Sequence, residues 1–209
     1  MLGFAATFAV GGVAIAANPP GANSTGAAIS RANASAIRAA DPHGALKDAN
    51  RMVQESPGDI AVYHARAKAN LVLGKKQEAI ADYKKAIALE PNSAASYCGL
   101  AAISIINKDL DGAQQQVLQA LKLDANAEIV QATVDDFIKE RLKQSMREAN
   151  ARNYAGAVNQ ANLAIELSPK NGNLYGFRAS MRIMTGDWNG ALQDRLTAEK
   201  LFAEKEGRR

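Results

Sequence analysis

The alanines at 67, 79 and 86 return at 101, 113 and 120, an offset of 34 residues at each position. Ala157 and Ala164 return at Ala191 and Ala198 with the same offset. A fixed period of this length confines a chain to repeat architecture, because each repeat is a small unit that cannot bury its own apolar faces and must stack on a neighbour. Within residues 60–93 the markers Tyr63, Ala67, Gly74, Ala79, Tyr83, Ala86 and Pro91 fall at positions 4, 8, 15, 20, 24, 27 and 32. Residues 94–127 keep the register with Tyr97, Leu100, Ala101, Ala113, Val117 and Ala120 at positions 4, 7, 8, 20, 24 and 27. Composition then decides what the unit is made of. The apolar fraction is 47% and rich in alanine, while aromatics are only 5%, so the bulky side chains that fill sheets are scarce and small helix-packing residues abound. An all-β fold is excluded, and each period is predicted to be a pair of helices.

Small residues at positions 8, 20 and 27 let two antiparallel helices and the first helix of the next pair approach closely. Tyr63 and Tyr83 fill the space between those contacts, and Leu71, Ile80 and Ile87 continue apolar faces at helical spacing. Gly74 and Gly186 suit the turn between the helices, and Pro91 and Pro169 stand at unit boundaries. This pattern resembles the tetratricopeptide repeat. The resemblance implies an all-α fold, a right-handed α-solenoid of stacked antiparallel helix pairs with about five repeats: 26–59, degenerate in its first helix, then 60–93, 94–127, 138–171 and 172–205, within a solenoid over 26–209. Residues 128–137 are an insertion. With no Gly or Pro from Glu128 onward to Ala155, it extends the fourth unit's first helix backward, predicting one long helix near 126–151. Arg141, Gln144 and Ser145 depart from the family pattern at positions 4, 7 and 8 of that unit.

Residues 1–25 carry no charged side chain, and Leu2 to Ala17 is an unbroken stretch of apolar and small residues ending near Ala14-Ile15-Ala16. It is shorter than the roughly 20 residues of a spanning helix, so we read 1–17 as a signal peptide and expect an exported, periplasmic or secreted protein without a membrane span after cleavage, cytoplasmic only if this run is no signal. Residues 18–25 read as a flexible linker.

The net charge of +4 is dispersed, and its clusters are interleaved with acids, so no one-sign stripe with stacking aromatics marks a nucleic-acid partner. One cysteine, Cys98, and two histidines, His43 and His64, supply neither a disulfide framework nor a zinc cluster. No phosphate loop, His-Glu-x-x-His or Gly-x-Ser-x-Gly motif is present, so we expect no enzyme activity, no metal and no cofactor. By resemblance, positions 2, 5, 9, 12 and 13 line the inner face. They are Ala61, His64, Lys68, Leu71 and Val72 in the second unit, then Ala95, Cys98, Ala102, Ile105 and Ile106 in the third. The fourth supplies Lys139, Leu142, Met146, Ala149 and Asn150, and the fifth Asn173, Gly176, Ser180, Ile183 and Met184. That face is mostly apolar, which predicts an interaction scaffold holding a peptide or partner helix of a protein. The cationic clamp of chaperone-tail binders in this family is not reproduced. Val130, Val134 and Phe137, on the stripe through the insertion, are alternatively core or a contact to a partner or a second copy in a homodimer. The alternative function is an accessory structural subunit of an envelope enzyme or secretion complex, acting through its outer face and the long helix.

Overall fold

The computed structural model describes residues 41–207. The expected signal peptide (1–17), the expected linker (18–25) and the first part of the degenerate unit lie outside the described residues. Among the described residues nine helices follow one another: α1 Pro42–Glu55, α2 Ile60–Val72, α3 Lys76–Leu89, α4 Ala94–Ile106, α5 Leu110–Asp124, α6 Glu128–Asn150, α7 Tyr154–Leu167, α8 Gly172–Thr185 and α9 Trp188–Glu206. α2 and α3, α4 and α5, α6 and α7, and α8 and α9 form hairpins. Each second helix packs on the first helix of the next hairpin, and α1 packs on α2 as the second helix of a leading pair. This is an all-α repeat solenoid.

Local chemistry starts and stops the helices. Asp41, Asp109, Asn153 and Asp187 cap α1, α5, α7 and α9 by accepting from the backbone N–H of a glycine three residues on. Asp59, Ser93 and Asn171 cap α2, α4 and α8. The turn inside each hairpin needs one residue in the left-handed region, and position 15 provides it four times: Gly74, Lys108, Arg152 and Gly186, with φ between 59° and 79°. Glycine takes this conformation freely, whereas Lys108 and Arg152 hold it against the steric clash of a Cβ.

The repeated small residues are the close contacts of the stack. Ala67, Ala79 and Ala86, and their counterparts Ala101, Ala113 and Ala120, have no exposed surface. Ser145 replaces alanine at position 8 of the fourth unit, is fully buried, and donates its hydroxyl to the Ala157 carbonyl at 2.7 Å, so a polar residue fits without an unmet bond. Gly99 allows a tighter approach still, since a Cβ there would stand 2.2 Å from the Tyr83 ring.

Between these contacts sit three apolar clusters. One joins α1, α2 and α3 around Met52, Val62 and Tyr63, and a second joins α2, α3 and α4 around Tyr83 and Ile103. The third and largest runs from Cys98 on α4 through α5, α6 and α7 to Leu174 on α8, with Phe137 fully buried within it. The 23-residue α6 makes this possible, because it touches α4 as well as α5 and α7.

Polar groups are buried in the same register. Asp82 receives both Arg66 Nε, at 3.0 and 3.1 Å, and Asn70, and in the last hairpin Asp194 receives Arg178 Nε at 2.8 Å and Arg182 at 2.9 Å. Arg66 and Arg178 both occupy position 7, and Asp82 and Asp194 position 23. Each arginine also lies over the position-4 tyrosine, Tyr63 or Tyr175, whose hydroxyl donates back to the carbonyl of Pro57 or Pro169. In the fourth unit the roles are redistributed. Arg141 is buried over the Phe137 ring and bonds Gln160, Gln114, Asp111 and the Leu110 carbonyl, tying α6 to α5 and α7.

Candidate functional site

The first helices of the hairpins, α2, α4, α6 and α8, carry a recurrent set of exposed apolar side chains: Val72, Ile106, Met146, Ile183 and Met184. Four of these five sit at positions 12 or 13, in the last turn before the hairpin bends. A helix whose other face is already buried leaves such residues in water only at a free-energy cost, so their recurrence along one set of helices is informative.

Where α4 meets α6 the exposed residues border a concavity of about 290 Å³. α4 contributes Ala102, Ile105 and Ile106; α6 contributes Thr133 and, along one edge, Asp136, Lys139, Glu140 and Lys143. The charges on that edge are fixed. Lys139 reaches Asp136 at 3.1 Å, and Glu140 sits between Lys143, at 3.1 Å, and Lys108 of the α4–α5 turn. The two lysines hold the Glu140 carboxylate below its usual pKa, the Lys108 hydrogen bond being the larger cause. The site is therefore an apolar floor with a pre-organised ionic rim.

The other inner-face candidates divide by what the stack does with them. Lys68 and Ser180 are exposed. Leu71 and Leu142 are half-buried and pack on the second and third clusters, so they belong to the core. Cys98 is a correction to the expected lining: it is 2% exposed within the large cluster, because α6 passes over α4 at this level. Burial pushes its thiol pKa up, away from nucleophilic use at neutral pH.

His64 is half-buried and structural in its contacts. Its Nε2 lies 2.7 Å from Ser96 Oγ, which itself donates to Ser93 Oγ at 2.9 Å, and its ring is tilted on Tyr83 with centroids 5.5 Å apart. Desolvation first, then Lys68, lowers its pKa to about 4, with Asp59 opposing. The imidazole is neutral at pH 7 and ties α2 to the N-cap of α4.

For Val130, Val134 and Phe137 the core alternative holds and the partner or dimer contact is corrected. All three are at most 2% exposed in the large cluster, so the stripe through the insertion is covered by the chain itself and does not face a partner. Lys139 borders the groove as expected, while Thr133 and Asp136, which the sequence did not disclose, reach it because α6 begins almost three turns early, and Glu140 joins them from the next position. Among the described residues no group of three or more His, Cys, Asp or Glu is placed to hold a metal ion. No described helix is long and apolar enough to cross a membrane.

A family model described as TPR repeat matches residues 68–103, which run from the second half of α2 into α4. A curated relative, the Protein SGT1 homolog of Bos taurus, is 29% identical over 112 residues, 54% of this chain. The chain spans about a third of that relative, 32% of its length. Among solved structures, the crystal structure of MamA protein superposes with a TM-score of 0.50 at 16% identity, covering 87% of this chain and 96% of that one. The P58(IPK) TPR domain is also similar, with a TM-score of 0.44 and 21% identity over 83% of this chain and 50% of that one. The 34-residue register and the hairpins that carry it agree with the tetratricopeptide repeat matched over residues 68–103, and the likeness to the solved structures is one of fold.

Proposed function

We propose that this chain is a non-catalytic scaffold that holds an apolar side chain of a peptide or partner helix in the groove between α4 and α6. One observation carries the reading: Ile106 stands 54% exposed at the edge of an otherwise apolar concavity whose rim charges are already paired. Covering Ile106 and a partner's side chain would contribute roughly 1.5–3 kcal/mol each, and the rim would set orientation through hydrogen bonds. Val72, Met146, Ile183 and Met184 extend the contact along neighbouring first helices. Methionine suits such a surface because its flexible side chain adapts to different partners.

The test is capture of envelope proteins by the full chain beside an Ala102→Glu, Ile106→Asp variant. Both positions are exposed, so the variant keeps its helical circular dichroism and loses the captured partner by more than tenfold. Undiminished capture by a folded variant overturns the groove. We also propose that residues 1–17 direct export. N-terminal sequencing of the mature protein from its source cells checks this, and an intact Met1 recovered from cytoplasm refutes it.

A further inference from the structure

The last helix, α9, is unlike the second helices before it. Trp188, Leu192 and Leu196 follow one another at four-residue spacing and are 66%, 58% and 55% exposed, and Phe202 beside them is 43% exposed. Position 21 illustrates the contrast: Ile80 of α3 is packed against the second cluster, whereas its equivalent, Leu192, has nothing described over it. α9 thus presents along its length the kind of face that another helix covers elsewhere in the stack.

The charges on that face identify what fits it. On a helix of 100° per residue, Arg195 and Glu199 fall on the same exposed side as Leu192. Neither takes part in any ion pair of the described chain, although Asp194 beside them is saturated by Arg178 and Arg182. The midpoint of Trp188–Glu206 is Thr197, and Arg195 and Glu199 stand two residues to either side of it. When two such helices lie antiparallel over their whole length, residue 195 of each faces residue 199 of the other. The same alignment sets Leu192 opposite Phe202 and Ala203, and brings the two Leu196 side chains together at the centre. The helix is its own complement in both charge and apolar surface, the requirement of a two-fold interface in which one patch meets itself.

We propose that α9 is a docking surface for a second copy of this chain, forming an antiparallel two-fold dimer with reciprocal Arg195–Glu199 pairs. The surface is separate from the α4–α6 groove, so each dimer carries two grooves.

The experiment is sedimentation equilibrium of the full chain at about 10 μM with charge-reversal variants, helicity checked by circular dichroism. The wild type sediments at twice the chain mass. Arg195→Glu and Glu199→Arg each place like charges opposite one another and raise the dimer dissociation constant at least tenfold, while the double variant R195E/E199R restores the pairs and the dimer. Leu192→Glu with Leu196→Glu gives a folded monomer. A monomeric wild type overturns the proposal, as does a dimer indifferent to the leucine substitutions. Failure of the double reversal to recover association, or full association of both single reversals, overturns the antiparallel register.

Discussion

His64 shows how a residue that invites a functional reading can instead serve the stack. It stands at an inner-face position, yet its ring nitrogen meets Ser96 and its ring face meets Tyr83, and its pKa of about 4 lies below the ordinary 6.5. The unfolded chain therefore binds more protons than the folded one between those two values, and stability is complete above about pH 6.5 and falls as pH drops toward 4. The loss attributable to His64 is at most about 3 kcal/mol. Thermal melts from pH 7 to 4.5 check this: the midpoint falls for the wild type and falls less for His64→Gln, whose amide can still donate to Ser96. The side-chain identities hid this role, because a histidine at an inner-face position reads as groove lining until the serine 32 residues away is brought beside it. Cys98 was misplaced for a related reason. A stripe of apolar residues at helical spacing is the same on paper whether it faces a groove or a neighbouring helix, and only the passage of α6 over α4 decides.

At the scale of the helix and its turn, legibility was uneven in an instructive way. The alanines at positions 8, 20 and 27 and the glycines at 74 and 186 could be read directly, since only small side chains allow close approach and only glycine takes positive φ without cost. The equivalent turns at Lys108 and Arg152 could be located only by counting, because neither residue type discloses its backbone angle. Arg152 is exposed, so its left-handed conformation, φ 59°, is imposed by the hairpin rather than by its side chain. Arg152→Gly relieves that strain, and after glycine's larger entropy loss is deducted it stabilises the protein by about 0.5–1 kcal/mol. Denaturant unfolding measures the gain as a higher midpoint at unchanged slope. The long helix was read from the missing helix breakers, and the structure places it at Glu128–Asn150. The buried Arg66–Asp82 and Arg178–Asp194 pairs were not read, although their equal spacing of 16 residues in two units was available as a signal.

Across the whole molecule, stability is not spread evenly over the hairpins. The largest cluster binds α4, α5, α6, α7 and the start of α8 into one block, whereas α9 exposes most of its large apolar residues. Native-state hydrogen exchange of the monomeric Leu192→Glu, Leu196→Glu variant should reflect this order, with amides of α5 and the middle of α6 slowest and those in the second half of α9 fastest. Uniform protection along the solenoid would contradict a core concentrated at α6.

The ten residues that lengthen α6 also change what can lie along the inside of the molecule. Ten residues advance a helix by about 15 Å and through two revolutions plus about 280°, so the hairpins after α6 resume their pattern at a different azimuth from those before it. A polypeptide threaded past α2 and α4 meets a step there instead of a continuous track. Under the function proposed above, a bound segment would seat at that step and turn with it to follow Met146, Ile183 and Met184.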